Sequence, residues 1–268
     1  MSDRARALVV AALLAAVVGT AALAPSSGMS AAPTPTARPA LVATTSPSPS
    51  PSRRAIVIQA TGDVSLDPSY IPAFRSRGYG WAWSGLGGAF RRDDLTIVNL
   101  ECPATTVVAP LDKPFVFRCD PAALPAMRRA GVEVANQANN HALDQGVAGL
   151  LDSLGNIRAA GLIAVGAGPD EASAIAPALV DVGGWKVAIV GLGQVLDPLW
   201  QVAGPETPGT AAGHDVDEML RGIRAASRIA DLVVVVIHWG VELDTLPRSW
   251  QVEQARRSEE HTSELQSR

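Results

Sequence analysis

Six short, mostly apolar runs recur between Ala55 and Gly240 and constrain the fold more than any other feature of the sequence. In chain order they read AIVIQATGD, LTIVNLE, VEVANQANNH, LIAVGAG, WKVAIVGLG and DLVVVVIHWG. A strand with one face in water alternates apolar and polar residues, whereas a nearly continuous apolar run is typical of a strand buried on both faces. The runs therefore predict sheets that are covered on both sides.

Helical patterns lie between these runs. The segment CDPAALPAMRRAG has Asp120 as an N-cap, Pro121 at the first helical position and Gly131 as a stop. In DQGVAGLLDSLGNIRAAG, one helix face is predicted to carry Val147, Leu150, Leu151 and Leu154. In DVDEMLRGIRAASRIA, one face is predicted to carry Met219, Leu220, Ile223 and Ala226. Strands alternating with helices predict a layered α/β fold.

Polar residues terminate one apolar run after another. In α/β folds, binding and catalytic groups collect at the carboxyl ends of the strands, so these residues are expected to share one site. The residues at these strand ends are Asp63, Asn99, Glu101, Asn139, Asn140, His141 and His238.

Carboxylate, amide and imidazole groups together form a ligand set that suits a divalent cation such as Zn, Mn, Fe or Mg. His141 can instead serve as a proton donor beside the cation. Each residue also has a plain structural interpretation: Asp63 can cap a turn, Asn139 and Asn140 can cap the following helix, and His238 can be a core histidine. The metal site is favoured because the structural interpretation requires several independent coincidences.

Other functional classes find little support in the sequence. It contains neither the GxSxG motif of a serine hydrolase nor a Walker A motif, and we interpret VGAGPDEA and GLGQ as turns. The formal net charge of −4 argues against nucleic acid as a partner.

The first 54 residues are expected to lie outside the folded domain. Residues 1–32 have the basic, apolar and small-residue order of a secretory signal peptide, although the apolar run is long enough to remain as an N-terminal membrane anchor. Residues 33–54 are rich in Pro, Ser and Thr and are expected to be an extended linker or a disordered leader. The protein is therefore expected to be extracytoplasmic, either membrane-anchored or secreted.

The chain has two cysteines, Cys102 and Cys119. In an exported protein an even number of cysteines favours a disulfide, and two free buried cysteines are the alternative.

Several motifs, taken in order, resemble those of the bacterial CapA family of capsule or poly-γ-glutamate synthesis proteins. They are TGDVSL, NLECPAT, FVFRCDPAAL, NQANNHALDQGVAGLLDSL, VGAGPDEASAIAPAL and VVVVIHWGVEL. The resemblance extends from about Ala55 to about Arg256. Because the family's domain is similar to the calcineurin-like metallophosphoesterases, the resemblance implies a four-layer α-β-β-α sandwich of that type.

The resemblance also implies roles for individual residues. His141 matches the family's proton donor, while Asn99 and Asn139 remain further cleft candidates. Metal-ligand roles are implied for Asp63, Glu101, Asn140 and His238. Ser65 departs from the two-metal phosphoesterases, which have histidine at that position, so a single-metal site or no metal site is the expectation.

The resemblance ends before a further histidine motif with which the family continues. We therefore expect an incomplete CapA-like domain at residues 55–256, with an unfinished second sheet, and a non-native tail at 257–268 that resembles sequencing-adapter read-through. On this interpretation His261 is not a ligand, and His214 is a surface residue at a helix start.

The function implied by the resemblance is synthesis, export or anchoring of a capsule polymer such as poly-γ-glutamate, with a phosphoesterase-like metal site. The expected partners are an anionic extracellular polymer and a membrane synthesis complex. The alternative is a non-catalytic polymer-binding or assembly subunit of that complex.

Overall fold

The computed structural model describes residues 53–195, 201–241 and 244–263. The predicted signal or anchor segment and nearly all of the predicted linker lie outside these ranges. Among the described helices, none combines the length and the apolar content needed to cross a membrane.

Two main sheets form the centre of the domain. The first is parallel, with the strand order β1 (Ile58–Val64), β2 (Leu95–Leu100), β3 (Val134–Asn136) and β4 (Ile163–Val165). In the second, β7 (Trp185–Gly193) lies between antiparallel β6 (Ala178–Val182) and parallel β9 (Leu232–His238). Two short strands, β5 (Ala167–Gly168) and β8 (Gly209–Thr210), form a separate antiparallel pair.

Six α-helices occur in the described part of the chain. In order they are α1 (Ala73–Arg77), α2 (Leu124–Ala130), α3 (Gly146–Ala159), α4 (Glu171–Ile175), α5 (Val216–Ser227) and α6 (Ser249–Ser263). Shorter 3₁₀ segments cover Tyr79–Leu86, Ala89–Arg91 and Pro121–Ala123.

Alternate side chains of the strands fill different layers of the core. Ile97 of β2 and Val134 of β3 share one apolar cluster with Ile189 of β7 and Val234 of β9, so this cluster lies between the two sheets. Val98 and Leu100, which point the other way, pack with Met127 of α2 and Ile157 of α3.

The second sheet has a matching outer layer. Val190 and Leu192 of β7 pack against Met219 and Ile223 of α5, all fully buried. Helices therefore cover the outer faces of both sheets, and the predicted α/β four-layer α-β-β-α sandwich is confirmed.

Local signals in the sequence have mixed outcomes. The Asp120 side chain accepts a hydrogen bond from the backbone N–H of Ala122, and Gly131 ends α2 in a left-handed conformation, as predicted. The predicted buried face of α5 is also confirmed.

The predicted face of α3 is wrong in part, because Val147 and Leu151 are each 40% exposed. The buried stripe instead follows the helical spacing Leu150, Leu154 and Ile157.

Two assignments of glycine-containing segments need correction. The GLG of residues 191–193 is not a turn but the end of β7, and the LIAVGAG run divides between β4 and β5, with Gly166 between them at φ +82°. Strand β6 was not predicted, because its apolar residues alternate with exposed ones over only five positions.

Helix α6 runs past Arg256 without a break and contacts α5 and β9. Gln251 and Ser258 are among its buried residues. The expected domain limit at Arg256 and the expected non-native tail remain predictions.

Cys102 and Cys119 are joined in a disulfide with a Cα–Cα distance of 5.7 Å, and both residues are completely buried in the core beneath α2. The bond closes a loop with a sequence separation of 17 residues.

Removing this disulfide is expected to destabilise the domain. For a loop of this size, the lost constraint on the unfolded chain corresponds to about 3 kcal/mol. The Cys102→Ala/Cys119→Ala variant should therefore unfold at a clearly lower urea concentration than the oxidised parent, and the reduced parent should behave like the variant. Equal urea midpoints for the oxidised parent and the variant would show that the bond contributes nothing.

Candidate metal centre

The apolar seam between the two sheets ends in polar side chains at the carboxyl ends of the strands. On β2 the inward positions Leu95 and Ile97 are followed by Asn99, and on β9 the inward positions Val234 and Val236 are followed by His238. Because side chains alternate along a strand, the same register that buries the apolar residues directs Asn99 and His238 into the gap between the sheets.

Asp63, Glu101 and His238 offer ligand atoms that all lie within 4.8 Å of one another. His238 Nδ1 is 3.3 Å from Asp63 Oδ1, and its Nε2 is 3.6 Å from Glu101 Oε1. The side-chain oxygen of Asn140 lies 3.1 Å from the same Nε2 atom. The structure thus brings together the four residues for which the sequence predicts metal-ligand roles.

The charges of this cluster are not balanced. The pKa of Asp63 is lowered, chiefly by its hydrogen bond with His238. Burial raises the pKa of Glu101 to about 7, with a further contribution from the negative charge of Asp63. The second carboxylate is therefore costly to ionise unless positive charge is added beside it.

This donor set fits a divalent cation. Two carboxylates, an imidazole and an amide oxygen are the ligands that Zn, Mn, Fe and Mg accept, and the geometry brings them within reach of one point. The raised pKa of Glu101 is the expected sign of a site built for an added positive charge.

A layer of buried asparagines supports the cluster. Asn99 Nδ2 donates to Asp63 Oδ1 at 2.6 Å and lies 3.2 Å from His238 Nδ1. Asn99 Oδ1 in turn accepts from Asn136 at 3.0 Å and Asn139 at 3.1 Å. Asn99 and Asn139 therefore position the ligands from behind.

Glycine at position 191 is what permits this packing. A Cβ atom at Gly191 would lie 2.3 Å from Asn136 Oδ1, which is far inside van der Waals contact. The close approach of β7 to the asparagine layer thus requires glycine here.

His141 belongs to a second group in the same cleft. Its Nδ1 lies 2.7 Å from Asp144 Oδ2, and its ring stacks on Phe117 with ring centroids 4.0 Å apart. Lys113 Nζ lies 2.5 Å from Asp144 Oδ1 and donates to the backbone oxygen of Asn140 at 2.9 Å. An ionised carboxylate only accepts, so Nδ1 of His141 carries the proton and Nε2 remains available for substrate.

Asp144 also fixes the loop that forms one wall of the cleft. Its carboxylate accepts from the backbone N–H of Phe117 at 2.6 Å, and its backbone oxygen accepts from Leu111 at 3.0 Å. Lys113, Phe117 and Asp144 were missed by the sequence interpretation. The spacing of Asp144 three residues after His141 was the available signal.

The cleft that contains both groups has a volume of about 720 Å³. Lys113, Phe115 and Phe117 line it together with Trp239 and Val241. A polar floor with aromatic walls is the usual composition of a site for a small molecule or a polymer end.

Ser65 occupies the position at which two-metal phosphoesterases have a histidine. Its hydroxyl is buried and has no hydrogen-bond partner in the described part of the chain. A serine there offers no imidazole for a second cation.

The family described as "Bacterial capsule synthesis protein PGA_cap" matches residues 57–261. A "Probable polyglutamine synthesis accessory protein" of Mycobacterium tuberculosis is 34% identical over 161 residues, which are 55% of this chain and 41% of the relative. The "PGA biosynthesis protein CapA" of Bacillus subtilis is 32% identical over 170 residues, which are 62% of this chain and 44% of the relative.

Among solved structures, the NAD nucleotidase of Haemophilus influenzae aligns with a TM-score of 0.44 and 17% identity, covering 66% of this chain and 30% of that one. The chain spans less than half the length of the two curated relatives.

Proposed function

The chain belongs to the bacterial capsule synthesis protein family PGA_cap, and from this membership we propose that it acts in synthesis, export or anchoring of an anionic capsule polymer of the poly-γ-glutamate type. We place this activity outside the cytoplasm, on a membrane-anchored or secreted protein that works with a membrane synthesis complex. The apolar segment within residues 1–32 and the paired cysteines support this location.

The observation that carries a catalytic role is the convergence of two groups in one cleft. One group, Asp63, Glu101, Asn140 and His238, has the composition of a divalent cation site. The other holds His141 in a single orientation through Asp144. A cation held there would supply Lewis-acid polarisation of a phosphoryl or related acyl group.

The side chains of the cleft have separate tasks in such a reaction. Asp144 accepts a hydrogen bond from Nδ1 of His141, and stacking on Phe117 restricts rotation of the imidazole. In its imidazolium form, His141 gives the Nε2 proton to a leaving oxygen and becomes a neutral imidazole that keeps its Nδ1 proton. Phe115 and Trp239 contribute apolar surface to the lining of the cleft.

The second candidate is a non-catalytic subunit that uses the same cleft to bind polymer. The observation that favours it is Ser65. Two-metal phosphoesterases have a histidine at this position, so the cluster lacks that metal ligand. A single cation can organise a binding site without activating a nucleophile.

Hydrolysis of an alkyl phosphodiester, whose poor alkoxide leaving group requires a proton, with Mn²⁺, Zn²⁺, Fe²⁺ or Mg²⁺ separates the two candidates. If the site is catalytic, the parent protein turns the ester over and His141→Ala lowers kcat by about 100-fold or more, because a positioned proton donor contributes at least that much.

His214→Ala is the matched control, because His214 is exposed and lies just before the N-cap of α5. It should retain full turnover, and both variants should keep the parent's metal content and melting temperature. Absence of turnover in the parent with every cation would eliminate the catalytic proposal in favour of binding.

A further inference from the structure

A second cavity, of about 300 Å³, lies beside the amino-terminal ends of the first sheet's strands. Its walls come from the 3₁₀ segments that precede β2 and from the end of α2, and we call it the arginine pocket. The residues that define it are Trp83, Ser84, Gly88, Arg91 and Arg129. β2 separates it from the metal centre, about 20 Å away along the strand.

Positive charge is concentrated at this pocket. Arg91 and Arg129 line it, and no carboxylate does. Arg92 lies next to Arg91, with its Nη1 3.3 Å and the Nη2 of Arg91 2.9 Å from the position of a Cβ on Gly88, and this Nη1 donates to the backbone oxygen of Gly87 at 2.7 Å. Two like charges are thus held side by side in a chain whose net charge is −4.

Five other arginines in the described part of the chain are neutralised by carboxylates of the protein. Ion pairs join Arg53 to Asp231, Arg54 to Asp94, Arg128 to Glu133, Arg221 to Glu171 and Arg248 to Asp244. Within the same described ranges, Arg91 and Arg129 form no ion pair or side-chain hydrogen bond.

The nearest carboxylates in the sequence are turned away from the pocket. Asp93 accepts hydrogen bonds from Gln59 and Thr96, and Asp94 pairs with Arg54 and accepts from the backbone of Val57. The two acids beside Arg91 and Arg92 therefore anchor the sheet and leave the guanidiniums without counter-charge.

Gly88 keeps the space between the guanidiniums open. Its φ of +76° is a conformation that side chains rarely adopt, and a Cβ atom there would meet Arg91 at 2.9 Å. A side chain at this position would therefore crowd the two guanidiniums.

We propose that the arginine pocket binds carboxylate groups of an acidic polymer, at a site separate from the metal centre. The planar guanidinium matches a carboxylate with two parallel hydrogen bonds, and several guanidiniums around one cavity suit successive carboxylates along one chain. The choice of a polymer as the source of the carboxylates rests on the proposed function, whereas the anion preference rests on the pocket alone.

The test is fluorescence anisotropy with labelled poly-γ-glutamate at low salt. Arg91→Gln/Arg129→Gln should raise the Kd by about tenfold or more, because two charge-assisted contacts are lost. Arg228→Gln/Arg256→Gln removes the same charge from two other exposed arginines and should change the Kd by less than about twofold. Both double variants should melt like the parent.

Competing sources of anion are separated by parallel measurements. Retention of full polymer affinity in Arg91→Gln/Arg129→Gln would overturn the proposal. The proposal would also be overturned if this variant lost binding to phosphatidylglycerol vesicles while its polymer binding stayed unchanged, because that result would assign the pocket to a lipid surface. Failure of the metal proposal would appear in the metal content of the parent, whereas failure of this one would appear as equal Kd values for the two arginine double variants, so the two failures are distinguishable.

Discussion

Replacing Glu101 with glutamine is expected to stabilise the metal-free protein and, at the same time, to remove most of its stabilisation by a divalent cation. In the parent, burial and the charge of Asp63 raise the pKa of Glu101 to about 7 from the ordinary 4.5. The folded state therefore disfavours the ionised carboxylate, and glutamine has no charge to disfavour.

The size of this stabilisation depends on pH in a defined way. Below about pH 4.5 the carboxyl is protonated in both the folded and unfolded states, so the variant gains nothing from it. The stability of the variant relative to the parent grows between pH 4.5 and pH 7, because in that range the carboxyl of Glu101 releases its proton only in the unfolded state. Above pH 7 it is complete, on the order of 1 kcal/mol, or a rise in Tm of about 2–4 °C.

The cation is expected to stabilise the parent more than the variant. At a concentration 100 times its Kd, a cation that binds only the folded parent adds about 2.7 kcal/mol to its stability. Glu101→Gln loses an anionic ligand and should show less than half of that increase. Differential scanning fluorimetry with EDTA and with Mn²⁺ or Zn²⁺ measures both quantities.

Glu206→Gln provides the control, because Glu206 is exposed and its replacement changes the net charge equally. It should melt like the parent with and without cation. An equal cation-induced rise in Tm for Glu101→Gln and the parent would remove Glu101 from the ligand set.

Replacing Asp144 with alanine is expected to be the most destabilising single substitution at the site. Its carboxylate is completely buried and binds Lys113 Nζ at 2.5 Å, His141 Nδ1 at 2.7 Å and the backbone N–H of Phe117 at 2.6 Å. The variant leaves a largely buried ammonium group and a backbone donor without their partner. Breaking a buried pair in this way costs about 3–5 kcal/mol, or a drop in Tm of about 10 °C.

A double-mutant cycle separates the ion pair from the other contacts of Asp144. Lys113→Met removes the ammonium while keeping much of the side-chain volume, so Asp144→Ala/Lys113→Met should recover part of the stability lost in Asp144→Ala. Urea unfolding of the four proteins gives the coupling energy. If Asp144→Ala unfolds within about 1 kcal/mol of the parent, the carboxylate does not hold the loop that lines the cleft.

Much of the fold could be predicted because a strand buried on both faces requires a run of apolar residues in the local sequence. Five of the apolar runs became β1, β2, β3, β7 and β9, the sixth divided between β4 and β5, and the polar residues that follow the runs marked the carboxyl ends of the strands. The α3 face was harder, because Val147 and Leu151 are apolar but exposed, and the local pattern does not distinguish a covered residue from an uncovered one. Strand β6 has only five residues, which are too few for its alternation of more and less buried positions to be recognised in the sequence.

The candidate site was predictable to the extent that its residues terminate strands. Asp63, Glu101 and His238 do so, and parallel strands bring such ends to one edge. Lys113 and Phe117 lie on a long loop whose path is decided by Asp144 rather than by local sequence, so nothing near them indicated the cleft. The arginine pocket depends on which acids are already engaged, and only the three-dimensional contacts reveal that.

The ligand groups of the metal centre come from both sheets, with Asp63 and Glu101 on one and His238 on the other. Their separation is therefore governed by the spacing of two stacked layers about 10 Å apart. A change deep in the apolar seam, far from any ligand, alters coordination by moving one layer relative to the other. A measured ion affinity at the candidate centre would thus also report how well the two sheets are assembled, and a weakened affinity would not by itself identify a damaged ligand.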